Sequence, residues 1–171
     1  GRGEAWGVIS LADGDRVVFA STAADSDVLA LVSSDARLLR FEASRVRPQG
    51  RGAGGVAGIC LHEGACVIAG ADLLAEAVVV TIADAEGALP SAGTGSVKVT
   101  PLDRYPAKGR ATNGVRAQRF LRGEDELVLA WVGVGPARAV DGDGRPVDLP
   151  AVNERRDASG SPLPAPVVGI G

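Results

Sequence analysis

Aromatic side chains are scarce in this chain. They make up 4% of its 171 residues, with a single tyrosine, too few to build a platform on which unpaired nucleotide bases stack. Histidine occurs once and cysteine twice. Cys60-x-His62-x3-Cys66 offers three metal ligands and no fourth nearby, so no metal site is expected. Buried free thiols, with no Cys60–Cys66 disulfide, are the expectation for a cytoplasmic chain. His62 stands in a turn with no nucleophile constellation around it, and solvent exposure is its expected state. No apolar run approaches the roughly 20 residues of a membrane-spanning helix. No basic segment followed by an apolar one and a cleavage site marks a secretory leader, and the expected location is the cytoplasm. Nor does any window of eleven or more residues carry a 3.6-residue apolar period; Asp72–Ala77 has room for a helical turn and no more.

What the chain has instead is a repeat. Gly7-Val8, Gly55-Val56 and Gly114-Val115 each open a short apolar run, followed by a glycine turn and a second apolar run, and the anchors lie 48 and 59 residues apart. Periods of this size mark stacked or radially arranged modules. Between the anchors the pattern is β throughout. Strands are predicted at Arg16–Ser21, Val28–Ser33, Arg37–Phe41, Gly55–Cys60, Cys66–Ala71, Val78–Ala83, Ser96–Thr100, Gly114–Phe120 and Glu126–Val132, rich in Val, Ile and Leu and bounded by turn residues. Gly7–Val18, Gly55–Val67 and Gly114–Val128 are expected to form equivalent hairpins, reversing at Asp13-Gly14, Glu63-Gly64 and Gly123. Asp84–Gly95, rich in Ala, Gly and Ser, reads as a surface loop.

The organisation that follows is an all-β array of units at about 1–27, 28–77 and 78–132, with a divergent Gly- and Pro-rich tail at 133–171 in which Val167–Ile170 has the composition of a closing strand. The chain opens inside a unit. Either it is a fragment lacking upstream modules, which is the expectation, or the tail pairs with the N-terminal half-unit.

Net charge is −3, and its distribution matters more than its size. Residues 35–56 hold five arginines against Asp35 and Glu42, and residues 96–122 hold seven basic residues against Asp103 alone. Twelve of the 18 basic residues but only three of the 21 acidic ones therefore sit in two equivalent windows. Other motifs are weaker. Gly93-Thr-Gly-Ser-Val-Lys98 lacks the Gly-Lys-Ser/Thr ending of a phosphate loop and leads into a strand. Asp141-Gly-Asp-Gly144 has its calcium-loop spacing broken by Arg145 and Pro146 and reads as a turn. Arg155-Arg156-Asp157 reads as a solvated loop.

The middle of the repeat carries a family resemblance. Leu29–Phe41 followed by Val46–Val56, and Val78–Ile82 followed by Gly95–Leu102 and Lys108–Val115, resemble the C-terminal repeats of bacterial type IIA DNA topoisomerase A subunits, the gyrase A and topoisomerase IV family. In that family a Gln-Arg-Arg-Gly-Gly-Lys-Gly loop follows the strand pair. Gln49-Gly50-Arg51-Gly52-Ala53-Gly54-Gly55 matches it at Gln49, Arg51, Gly52 and Gly55 and departs where Gly50 and Gly54 replace basic residues. The thinned box is more similar to topoisomerase IV or a gyrase A paralogue, and the resemblance covers about residues 1–132.

The resemblance implies a β-pinwheel, a propeller-like array of four-stranded blades that binds and bends duplex DNA at its rim. Its implied partners are the separate catalytic core of the same A subunit, the ATPase B subunit, and duplex DNA. The implied place is the nucleoid, with no membrane contact. The core's nucleophilic tyrosine is not in this chain, and Tyr105 is expected to pack. No cofactor is expected here; the family uses Mg2+ and ATP in other domains or subunits. The residues expected to bind DNA are Arg40, Arg45, Arg47, Gln49, Arg51, Lys98, Arg104, Lys108, Arg110, Arg116, Arg119 and Arg122, with the 96–122 arc contributing at least as much as the box. The alternative is a propeller-type protein-interaction module that does not bind DNA.

Overall fold

The structure is a computed structural model that describes residues 7–50, 52–73, 76–89 and 93–171. Their regular structure is β strand with two short 3-10 turns and no α-helix. The strands are β1 (Val28–Ser33), β2 (Arg37–Glu42), β3 (Val67–Leu73), β4 (Val78–Asp84), β5 (Ser96–Pro101), β6 (Val115–Arg116), β7 (Glu126–Gly133), β8 (Ala139–Val140), β9 (Pro146–Val147), β10 (Ser161–Pro162) and β11 (Gly169–Ile170).

One strand order is written three times. The first sheet runs β3-β1-β2-β6, the second β7-β4-β5-β10 and the third β11-β8-β9. In each, an antiparallel hairpin (β1-β2, β4-β5, β8-β9) takes a later strand on the side of its first strand, the long β3 and β7 in the first two sheets and the two-residue β11 in the third. In the first two, the far side is closed by a short strand borrowed from the following unit, β6 on β2 and β10 on β5. The 3-10 turns repeat as well, Ala43–Arg45 after β2 and Leu102–Arg104 after β5. Residues 133–171 carry the third sheet and lend β10 to the second.

This exchange corrects the expected hairpins. The turns themselves are equivalent: Asp15, Ala65 and Glu124 donate their amides to Ala12, His62 and Leu121, and Gly14, Gly64 and Gly123 hold φ of 84°, 78° and 91°, conformations open to glycine at little cost. The flanking segments, however, do not pair with each other. Val115–Arg116 joins the first sheet while Glu126–Gly133 joins the second. Gly55–Cys60 and Arg16–Ser21 form no strand. A turn reverses the chain but leaves its hydrogen-bonding edges open to whichever sheet lies nearer. Likewise β3 runs through Asp72 and Leu73, where the sequence has room for a helical turn over Asp72–Ala77; residues 74 and 75 lie outside the described ones.

The sheets stack face to face. On β4, Val79 and Ala83 enter a core shared with Ala30, Val32 and Leu38 of the first sheet, while Val80 and Ile82 enter a second core with Ala139 and Val147 of the third. That is the period of two for a strand covered on both faces. β3 packs on β7, so the sheets converge there and the borrowed strands β6 and β10 lie on the opposite edges.

Candidate nucleic-acid interface

Between the first and second sheets the apolar core gives way to polar residues, because the segment after β6 passes there on its way to β7. Ala117 and Gln118 are almost fully buried in this crossing. The Ala117 amide donates to the Ala36 carbonyl at 2.7 Å. Thr81 Oγ1 donates to Gln118 Oε1 at 2.7 Å, and Gln118 Nε2 donates to Ser96 Oγ at 2.9 Å. Tyr105, fully buried, donates its hydroxyl to the Ala117 carbonyl at 3.3 Å, and burial pushes its pKa up to about 12. It packs, as expected.

Lys98 belongs to this layer, and its expected role at the surface is corrected. It is 1% exposed, and Nζ donates to the carbonyls of Ala117 and Arg156 and, at 3.5 Å, of Arg155. Desolvation lowers its pKa to about 8, with Asp157 working the other way. A phosphate outside the fold has no route to it.

The remaining basic residues lie near or at the surface. Arg45, at the end of the first 3-10 turn, and Arg47 and Gln49 after it are exposed, and the Gln49 amide donates to the neighbouring carbonyls of Arg47 and Pro48. Arg51 lies outside the described residues. Arg40 is half-buried and lines a hollow of about 470 Å3 with Glu76, Asp103 and Arg104, its Nε buried without a partner among the described residues. Arg104 is exposed but engaged: Nε donates to Glu154 Oε2 at 2.5 Å and stands 3.7 Å from Asp103. The Glu154 hydrogen bond, more than the Asp103 charge, raises its pKa. Lys108, Arg116, Arg119 and Arg122 are exposed, and Arg110 is half-buried with Nη1 on the Ala57 carbonyl at 2.5 Å.

Folding brings the two basic windows together. The Lys108 amide donates to the Arg40 carbonyl at 3.0 Å, and the Ala111 amide to the Gly58 carbonyl at 2.5 Å. The Cys60 amide reaches the Thr112 carbonyl at 3.0 Å, and Asn113 Nδ2 returns to the Cys60 carbonyl at 3.0 Å. The end of β2 and the Ala57–Cys60 segment that follows the glycine-rich box are thus tied to the 106–114 loop, beside β6, where Arg116 stands directly opposite Arg37. Arg37 is absent from the expected site because that pairing joins residues far apart in sequence; its place in the 35–56 window was the available signal.

Acidic residues collect at the hairpin tips, where Asp35 borders Arg37 and Arg116 as well. Asp35, Glu63, Glu86, Asp125 and Glu126 line a hollow at the hairpin tips. His62 is exposed, as expected, but not solitary: its Nδ1 hydrogen-bonds Asp35 Oδ2 at 2.5 Å. Burial works against the Asp35 charge, but the Ser33 hydroxyl and His62 outweigh it and lower its pKa. Cys60 and Cys66 are free and both exposed, not buried, since the 55–66 segment lies on the surface and not in a sheet. Asp141-Gly-Asp-Gly144 is a turn in which Asp141 Oδ1 accepts the amides of Asp143 and Arg145. Among the described residues no helix is long and apolar enough to cross a membrane.

The family of the DNA gyrase C-terminal domain, beta-propeller, matches residues 27–75 and 94–130, half of the chain. The chain belongs to that family. Its fold is the β-pinwheel found in the C-terminal domains of type IIA topoisomerase A subunits. The chain is 38% identical over 104 residues to the topoisomerase subunit TopoM of Mycolicibacterium smegmatis, covering 61% of this chain and 14% of that protein. It is also 38% identical over 108 residues to the A subunit of DNA gyrase from Salmonella typhimurium, covering 63% and 11%. Among solved structures it resembles the C-terminal domain of DNA topoisomerase IV, with a TM-score of 0.76 at 22% identity over 96% of this chain and 52% of that one. The DNA gyrase A C-terminal domain gives 0.71 at 18% over 95% and 56%. The chain therefore spans about a seventh or less of these curated relatives. The structural matches include the third pinwheel sheet, which lies outside the family match.

Proposed function

We propose that this pinwheel binds duplex DNA through its basic loops, bends it, and presents it to the separate catalytic core of the same A subunit. With the ATPase B subunit, that core carries out ATP-dependent strand passage in the nucleoid of the cytoplasm. Mg2+ and ATP then serve in those other parts, and this chain is non-catalytic and holds no cofactor.

The observation that carries the reading is the meeting of the two basic windows, through the pairing of β2 with β6 and the hydrogen bonds of Lys108 to Arg40 and of Ala117 to Ala36. A contiguous row of exposed arginines and lysines displaces condensed counterions wherever it meets phosphates, and gives affinity without base readout. Gly50, Gly52, Gly54 and Gly55 have open space where a Cβ would be, so they fill no packing need and leave the backbone free for close approach by a phosphate chain.

Duplex binding across a salt series tests this. Arg45→Ala/Arg47→Ala/Lys108→Ala/Arg122→Ala is expected to lower the log-affinity versus log-salt slope by about 2 to 4 units. An unchanged slope and affinity would overturn the reading. A protein-docking propeller has one observation in its favour, the exposed Val8, Ile9, Leu11, Val17 and Val18. Absence of duplex binding by the unmodified chain at low salt would leave that reading standing.

A further inference from the structure

We infer that the notch beside β6, lined by Arg37, Arg116 and Arg119, seats a single phosphate group. The inference deepens the duplex-binding reading and rests on it for the source of that phosphate. The notch is a hollow of about 300 Å3 bounded by the β1-β2 turn, the turn at His62 and the start of the crossing segment, with Phe120 as an apolar wall.

Three features point to an anion. First, Arg37 and Arg116 are directly opposed in antiparallel register, where like charges destabilise a strand pair. β6 is only two residues long and has little ladder with which to absorb the repulsion. Second, none of the three arginines has an ion-pair partner among the described residues. Asp35 borders the notch, yet its two oxygens are engaged, one by the Ser33 hydroxyl and the other by His62, each at 2.5 Å. The nearby carboxylate is hydrogen-bonded to Ser33 and His62 and makes no ion pair with a guanidinium, so three cations face one anion at the notch. Third, Arg156 donates Nη1 to the Arg116 carbonyl at 3.4 Å, adding a fourth guanidinium at the margin.

An arrangement that costs stability when empty becomes favourable when one anion with several acceptor oxygens bridges its cations, and guanidinium forks match phosphate oxygens two at a time. Because β6 is a borrowed strand, the same anion would also clamp the second unit onto the first sheet. The outer position of β6 makes a DNA phosphodiester the source, with free phosphate as the chemical equivalent.

The test compares the unmodified chain with Arg37→Ala/Arg116→Ala. Melting is followed with and without pyrophosphate, and duplex binding is measured across a salt series. Without anion the double variant is expected to melt at the same temperature as the parent or higher, since repulsion is relieved. Pyrophosphate should raise the melting temperature of the parent and leave the variant unmoved, and the variant's salt slope should fall by about 1 unit, the share of one phosphate. A variant that melts well below the parent without anion overturns the inference, as does one that responds to pyrophosphate and duplex like the parent. If Arg45→Ala/Arg47→Ala/Lys108→Ala/Arg122→Ala weakens duplex binding while Arg37→Ala/Arg116→Ala does not and pyrophosphate has no effect, the notch fails and the duplex reading stands. If pyrophosphate acts at the notch but the parent binds no duplex, the duplex reading fails and the notch stands as a seat for free phosphate.

Discussion

Lys98 illustrates how far one residue's environment can move its role. Its ammonium group serves as a donor to carbonyls from two separate loops, Ala117 of the crossing and Arg156 of the segment leading to β10. Removing it leaves the Arg156 carbonyl without that donor while Tyr105 still serves the Ala117 carbonyl, a loss of about 1–3 kcal/mol for the unsatisfied group. We therefore expect Lys98→Met to lower stability by about 1–3 kcal/mol at pH 7, measured by urea unfolding. The pH dependence has a definite sign. The folded pKa of about 8 lies below the ordinary lysine value of 10.5, so between these values the unfolded chain binds the extra proton and stability rises with pH. From this group the gain between pH 7 and pH 9.5 is about 2 kcal/mol, and comparison with Lys98→Met isolates it. An equal pH dependence in both proteins would mean that Lys98 does not titrate early.

At the scale of elements, the repeated Gly-Val anchor serves two different ends. Gly114 and Gly55 share the left-handed region, with φ of 65° and 80°. At Gly114 a Cβ would collide with the Leu38 carbonyl oxygen, because β6 is drawn tight against β2, whereas at Gly55 nothing lies within 4 Å. Gly114→Ala is expected to cost about 2–4 kcal/mol, combining backbone strain with displacement of the borrowed strand. Gly55→Ala should cost about 1 kcal/mol, from strain alone. Chemical denaturation of the two variants checks the difference; equal losses would mean that the tight approach of β6 to β2 contributes nothing. The opposite borrowed strand ends in Pro162, which removes a donor and suits an outer edge.

The whole molecule is held most firmly at its middle. β4 is paired on both sides, by β5 and β7, and covered on both faces by the two cores. Residues 7–22 form no strand. They are joined to the rest by the Ser10 amide on the Ala53 carbonyl at 3.2 Å and the Ser10 hydroxyl on the Gly52 carbonyl at 2.6 Å. Phe19 adds a ring laid over Gly70, where any Cβ would collide with it. In amide hydrogen exchange β4 is expected to be the slowest element, and residues 7–18 to exchange orders of magnitude faster. Comparable protection of the two would mean that the N-terminal segment is paired in solution.

Much of this architecture was legible in the sequence because its causes are local. Val28–Ser33, Val78–Ala83 and Ser96–Thr100 declare themselves as strands through β-branched composition and flanking turn residues, and the three glycine turns through their spacing. The segregation of basic residues into two windows was equally plain. What only the tertiary structure decided is which edges and faces meet. Nothing local tells Val115–Arg116 to pair with β2 instead of folding back on Glu126–Gly133, since a short strand has no register preference until a neighbouring sheet offers one. The same holds for charge. Ser96, Lys98 and Thr100 alternate with Val97 and Val99 as a solvated face would, a pattern that agrees with a surface role for Lys98. In the fold the polar face is roofed by Ala117 and Gln118, and Arg37, outside the expected site, stands across from Arg116. Alternation along a strand sets which residues share a face; whether that face meets water depends on segments distant in the chain.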